Sequence, residues 1–239
     1  MRIAIVSDVH GNLTALEAVL ADLRTAAPDL ILHGGDLADS GSAPAETVDR
    51  IRELGWPGVF GNTDEMLYAP HKLTEFAEAA PGLQKIFTAV KDIASATRAA
   101  LGEERLAWLR SLPDLQVAGT LALVHASPGD AWRAPAPEAA DAELEATYAV
   151  LDRPMAVYGH IHRPFVRSVG SMVVANTGSL SLSYDGDRRA SYLVIDDSVP
   201  VIRRVEYDVE LECKRMMERG VPHAEWVGAM LRSARFQMP

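Results

Sequence analysis

A single cysteine, Cys213, stands in a chain of 239 residues. Its solitude excludes an internal disulfide framework and a cysteine-based zinc cage, and its place in a late helical pattern reads as packing. Long apolar runs are missing too. The longest are strand-sized, which excludes a bilayer-spanning helix, and the four apolar residues after Arg2 are too few for a secretory h-region. The expected compartment is the cytoplasm, with no membrane partner. Positive charge is also scarce: 23 Lys and Arg stand against 33 Asp and Glu, a formal net charge of −10. That balance argues against extended nucleic acid as a partner, because such a grip needs many cations that release counterions from phosphate. A small phosphorylated substrate stays open, since bound divalent cations would be the largest charge in its pocket. No internal repeat or low-complexity tract is visible. What the chain does have is 48% hydrophobic content, enough at this length to bury a full core.

The first dozen residues set the pattern. Ile3 to Val6 read as a buried strand that gives way at once to Ser7, Asp8, Val9, His10, Gly11 and Asn12. Open α/β sheets bind ligands outside the carboxyl ends of their strands, so Asp8 and His10 arrive where chemistry is usually done. In an extended Asp-x-His both side chains fall on one side of the backbone and can share a cation. A lone Asp-x-His also suits a turn and a helix N-cap; repetition further along is what favours chemistry.

The arrangement does repeat. Asn12 suits the N-cap of a helix with Leu13, Leu16, Val19, Leu20 and Leu23 at helical period. A second strand, Leu30 to His33, closes in Gly34, Gly35 and Asp36. A helix from about Ala45 to Leu54 leads to a short strand at Gly58 to Phe60, then Gly61, Asn62, Thr63 and Asp64. Three strands ending in polar residues predict a layered α/β fold with one active edge. Residues 65–112 break the rhythm and read as a helical insertion, either covering the active edge or packed against the sheet. Strands follow at Leu115 to Ala118 and Leu121 to Val124, the latter ending in His125. After a Pro-rich loop over 126–139 and a helix from about Ala140 to Leu151, the strand Met155 to Tyr158 terminates in Gly159, His160, Ile161 and His162. Hairpin strands are expected around Phe165 to Val169, Met172 to Ala175, Tyr192 to Asp196 and Val201 to Tyr207. The tail at about 208–239 reads as two helices, whose exposed apolar faces suit a homodimer. The whole of 1–239 is read as one domain.

Asp8, His10, Asp36, Asn62, His125, His160 and His162 thus all sit at strand ends. Their oxygen and imidazole donors suit manganese, iron, zinc, cobalt or nickel better than calcium. Seven ligands are too many for one tetrahedral ion and fit two ions sharing a carboxylate. Each alone has a plainer role available, such as a turn-forming Asn62 or a satisfied loop histidine; five separate strand ends all producing ligands by coincidence is the weaker explanation. His33 reads as core or as support for the ligands.

The series Asp8-Val9-His10, Gly35-Asp36, Gly61-Asn62, His125 and Gly159-His160-Ile161-His162 resembles the calcineurin-like metallophosphoesterases. Asn176-Thr177-Gly178-Ser179 and the run Asp185 to Tyr192 are similar to the small bacterial and archaeal phosphodiesterase branch. The resemblance implies a four-layer α/β/β/α sandwich of two mixed sheets between helices. It implies two divalent ions, manganese foremost, one on Asp8, His10, Asp36 and His162 and the other on Asp36, Asn62, His125 and His160, with Asp36 bridging. Two such ions, about 3.5–4 Å apart, activate a shared water for in-line attack on a phosphoester. Asp36, Asn62 and His125 would then be catalytic. Where the family often has Gly-Asn-His, this chain has Thr63, whose hydroxyl is no general acid near neutral pH; such a donor typically contributes about a hundredfold to ten-thousandfold. Esters with good leaving groups are therefore expected, diesters ahead of monoesters, with Asp64 either orienting a water or capping. A phosphomonoesterase, or a metal-binding scaffold like the retromer subunit that resembles this family, are the alternatives. Arg163 and Arg133, beside Trp132, are the candidate substrate contacts.

Overall fold

The structure, a computed structural model, describes residues 1–239 except the side chain of Pro81. Strand β1 (Ile3–Val6) is buried on both faces. Its alternation divides the molecule: Ile3 and Ile5 point toward the second sheet, and Ala4 and Val6 toward the helices. Helix α1 (Leu13–Ala26) begins where the Asn12 side chain accepts the Ala15 N–H at 2.9 Å. It stops at Ala27 in a left-handed conformation, just before Pro28. Strand β2 (Leu30–His33) then lies parallel to β1, followed by α2 (Pro44–Leu54) with its proline in the first turn, where a missing N–H costs nothing.

The segment Gly58 to Phe60, expected as a strand, makes one isolated parallel bridge, His33 to Gly58. The Val59 N–H donates to the His33 carbonyl, the Phe60 N–H on the opposite side donates to the Pro113 carbonyl, and helix geometry begins at Asn62 before a longer ladder can form. The following residues are helical as expected: α3 (Asn62–Tyr68), α4 (His71–Glu78) and α5 (Gln84–Ser111). Gly102, at φ 68°, separates two helical stretches within α5. Leu101, Leu106 and Leu109 of α5 join the core of α1 and α2, each fully buried side chain contributing roughly 1.5–3 kcal/mol.

Strands β3 (Leu115–Ala118) and β4 (Leu121–Val124) form a hairpin, and α6 (Asp141–Tyr148) precedes β5 (Met155–Tyr158). Then come β6 (Phe165–Val169), β7 (Met172–Asn176), β8 (Ala190–Asp196), β9 (Val199–Val205), α7 (Val209–Glu218) and α8 (Ala224–Ser233). One sheet has the order β2-β1-β8-β9, the other β3-β4-β5-β7-β6, and both mix parallel and antiparallel pairs. Ile5, Leu32 and Leu193 meet Leu123, Val157 and Ala175 between the sheets. On the far face of the second sheet, Ala156 and Tyr158 pack against Leu144 and Tyr148 of α6. The result is the α/β/β/α layering, with β1, β2, β4 and β5 all ending at one edge. Among the described residues, no helix is long and apolar enough to cross a membrane.

Candidate metal centre

That edge carries the chemistry. Ligand atoms of Asp8, His10, Asp36 and His162, all buried, lie within 4.8 Å of one another. They come from the loops after β1, β2 and β5, far apart in sequence. His10 Nε2 is 3.2 Å from His162 Nε2 and 3.8 Å from Asp36 Oδ2, and His162 Nε2 is 3.2 Å from Asp8 Oδ1. Beside them, Asn62 Oδ1 lies 2.9 Å from His160 Nδ1 and 3.0 Å from His125 Nε2, which is itself 3.5 Å from Asp36 Oδ1. All seven strand-end residues are thereby brought to one place, with Asp36 between the two groups.

The way they get there differs from the extended Asp-x-His expected. Asp8 has φ 56° and His10 φ 51°, both left-handed, as are Asp36 at 55°, His160 at 66° and His162 at 56°. Strict alternation therefore does not operate, and the loop curls to aim both side chains inward. Backbone hydrogen bonds hold the curl: Asp8 N–H to Gly35 O at 3.0 Å, His10 N–H to Asp36 O at 2.9 Å. Close packing explains two of the glycines preceding ligands. A Cβ on Gly61 would sit 2.0 Å from Asp36 Oδ1, and one on Gly159 would sit 2.4 Å from Asp8 Oδ2.

The donor set fits a cation. Nδ1 of His10 meets the Asp39 carbonyl at 3.2 Å, that of His125 meets the Gly34 carbonyl at 2.7 Å, and that of His162 meets the Leu182 carbonyl at 2.6 Å. A carbonyl only accepts, so each Nδ1 carries a proton, and in the neutral ring each Nε2 presents a lone pair. His10 and His162 then aim two lone pairs at each other across 3.2 Å, an arrangement that repels unless a cation lies between. Backbone carbonyls fixing the tautomer in this way are what metal-ligating histidines usually have.

The electrostatics agree. Burial lowers the His10 imidazole to about 4, with His162 adding to the effect, and burial together with His125 brings His160 to about 4. Burial pushes the Asp8 carboxyl up, but His162, His125 and His10 outweigh it and hold it well below the usual carboxylate range. Burial also lowers His125, yet Asp36 and Asp8 outweigh it and move that ring upward. The centre's negative charge is thus met either by a proton or by a cation.

Asp64 is buried, and burial, with Asp36 beside it, raises its carboxyl to about 7. Both its oxygens are taken by backbone donors: Asp36 N–H at 2.8 Å, Leu37 N–H at 2.9 Å and Gly61 N–H at 3.0 Å. This is the capping geometry; it steadies the loops of Asp36 and Asn62. The Thr63 N–H donates to Asp36 Oδ1 at 2.9 Å, while the Thr63 hydroxyl is buried without a protein partner. Arg163 is forked onto Glu138, with Nη1 at 3.0 Å from Oε2. Arg133 lies over the Phe76 ring, 5.3 Å from its centroid, in a cleft that shares His125 with the centre. No residue pattern pointed to Phe76 in that cleft, nor to Tyr184, whose ring stacks on His162 at 4.7 Å.

The chain is 29% identical over 252 residues to an uncharacterized protein of Methanocaldococcus jannaschii, covering 96% of each. It is 34% identical over 156 residues to the symmetrical bis(5'-nucleosyl)-tetraphosphatase of Methylococcus capsulatus, covering 64% of this chain and 52% of that one. Its fold matches the crystal structure of a metallophosphoesterase from Sphaerobacter thermophilus with a TM-score of 0.79 at 29% identity, over 98% of this chain and 99% of the other. Residues 1–198 match the calcineurin-like phosphoesterase superfamily domain, and the chain belongs to that family.

Proposed function

We propose that this phosphoesterase is a dinuclear, metal-dependent phosphodiesterase acting on a small phosphodiester or nucleotide, with manganese the first ion to test. The observation that carries the reading is the pair of lone pairs on His10 and His162, 3.2 Å apart beside two carboxylates. Asp8, His10, Asp36 and His162 would hold one ion, and Asp36, Asn62, His125 and His160 the other. Two bound ions supply a water of lowered pKa and neutralise charge on the phosphoryl oxygens during in-line displacement.

The chain's own residues do the rest. Carbonyls of Asp39, Gly34 and Leu182 lock three imidazoles by their Nδ1–H groups, so no reorganisation is needed as charge develops. Asp36 is held by the Thr63 N–H on one oxygen. Hydrolysis breaks the P–O ester bond, and the departing oxygen needs a proton or must leave as a stable anion. Thr63 supplies no proton, which favours good leaving groups and hence diesters with aryl or otherwise acidic alcohols. The tetraphosphatase relative supports nucleotides as the substrate class. Arg163 reaches a phosphate only by releasing Glu138.

The test is hydrolysis of bis(4-nitrophenyl) phosphate beside 4-nitrophenyl phosphate by metal-stripped protein reloaded with manganese. Metal-dependent turnover with the diester ahead is expected. Faster cleavage of the monoester overturns the diester preference and keeps the metal chemistry; no turnover with two ions bound turns the reading toward a scaffold.

A further inference from the structure

Next to the metal centre lies a cleft of about 420 Å³ whose wall includes His125. It is large enough for a substrate's organic part. Its aromatic wall and the partner that fixes it come from three segments. Glu65 comes from α3, Phe76 from α4, and Trp132 from the loop after β4. The indole is fixed in place: its Nε1–H donates to Glu65 at 2.6 Å and its backbone N–H to Asp130 at 2.7 Å. Phe76 lies 5.2 Å from it, tilted by 37°, and is buttressed edge-on by Phe87 at 6.0 Å. The Arg133 guanidinium covers part of the same aromatic wall.

Charge narrows the occupant. Glu65, Glu75, Asp114 and Asp130 line the cleft against only Lys72 and Arg133. A chain of further phosphates entering here would meet net negative charge. A flat, uncharged group with N–H and O–H donors would meet aromatic faces and carboxylate acceptors. Among the organic arms of phosphoesters, a nucleoside has that combination: a planar base to stack, and amino and ribose hydroxyl groups to donate.

We propose that this cleft is the subsite for the nucleoside arm of the substrate, with the base against Phe76 and Trp132. It rests on the phosphodiesterase reading, because the phosphoryl group bound near His125 is what directs the arm inward. Phe76 and Trp132 are then specificity-determining residues, and the acidic rim makes the occupant a single nucleoside and not a polyphosphate.

The test measures binding of adenosine 5'-monophosphate and ribose 5-phosphate to the manganese-loaded protein by calorimetry. The nucleotide is expected to bind at least about fivefold more tightly, the smaller end of what base–aromatic stacking supplies. With diamagnetic zinc in place of manganese, its base protons should also shift upfield in NMR spectra. The double variant F76L/W132L should bring the ratio to about one, and F76Y, which keeps the ring, should preserve it. Equal binding of the two ligands by the wild type overturns the subsite and leaves the phosphoryl centre standing. Tighter binding of adenosine diphosphate than of the monophosphate, or of 4-nitrophenyl phosphate equal to it, overturns the single-nucleoside assignment. Failure of both phosphates to bind in a metal-dependent way overturns the phosphodiesterase reading itself.

Discussion

Asp8, His10, Asp36 and His162 all have left-handed backbones, whereas in the neighbouring group of Asn62, His125 and His160 only His160 does. Asn62 opens helix α3, and His125 simply follows β4. A left-handed residue other than glycine costs about 1–2 kcal/mol, so the first group stores several times that. It persists because the loops after β1 and β2 are lashed to one another and packed too closely for an alternative. The second group is held mainly through side chains, beside the cleft and the helices α3 and α4. One half of the centre is therefore rigid by backbone, the other set by what α3 and the loop after β4 do.

The strongest way to break this distinction is to remove what both halves share. Asp36→Asn should lower metal-dependent turnover by at least about a thousandfold, the upper range for deleting one electrostatic contact in a site, and reduce metal content measured by mass spectrometry in both groups. On the dinuclear proposal, His10→Ala and Asn62→Ala should each lose one ion and at least about a tenfold share of turnover. If the second half is the adaptable one, excess metal restores Asn62→Ala and leaves His10→Ala impaired. Equal rescue of both would erase the distinction.

Asp64→Asn tests how α3 is tied to the first half. The substitution puts an amide NH2 in place of one of the two oxygens, of which Oδ2 now accepts the N–H groups of Asp36 and Gly61 and Oδ1 that of Leu37. Leaving buried donors unmet costs about 1–3 kcal/mol, to be read as a lower chemical denaturation midpoint. Metal affinity should fall by about tenfold to a hundredfold, as for other residues that orient ligands. A variant with unchanged stability and lowered turnover would make Asp64 a participant in the chemistry instead of a cap.

Much of this was legible because glycine, aspartate, asparagine and histidine at strand ends are poor strand formers and good ligands, so Asp8, Asp36, Asn62, His125 and His160 punctuate the apolar runs visibly. The layering was expected from three successive strands ending in polar residues and the four-layer arrangement from the resemblance, whereas the division of Ile3 and Ile5 from Ala4 and Val6 shows only in the structure. The left-handed curl at Asp8 and His10 was not legible, because it is imposed by hydrogen bonds to Gly35 and Asp36, residues of another loop. Nor was the single bridge at Gly58, cut short because the chain turns into helix at Asn62. Phe76 reads as ordinary helix packing until α4 is set beside the loop of Trp132.

His33 sharpens the comparison, since it ends β2 yet ligates nothing. It is fully buried, and neither ring nitrogen has a protein partner among the described residues. Burial lowers its imidazole to about 4, from 6.5 in an unfolded chain. The unfolded chain therefore takes up the proton first, and protonation favours unfolding. The contribution is whole above pH 6.5 and is lost as pH falls toward 4, up to about 3 kcal/mol in all. Metal-loaded His33→Leu should show a shallower fall in denaturation midpoint across that window than the wild type. Parallel curves would place the acid sensitivity in the ligand histidines instead.

The smallest effect concerns Arg163, next in sequence to His162 but turned away from the centre. Its guanidinium is forked onto the exposed Glu138, and exposed pairs contribute little to stability. Glu138→Gln should leave the denaturation midpoint unchanged. It also frees a planar donor fork suited to phosphate. If Arg163 reaches substrate, KM for a phosphodiester falls severalfold in Glu138→Gln, kcat holds, and the added Arg163→Gln change cancels the gain. Identical KM values in all three proteins would assign the arginine to the surface alone, and phosphate recognition would then belong to the metal centre.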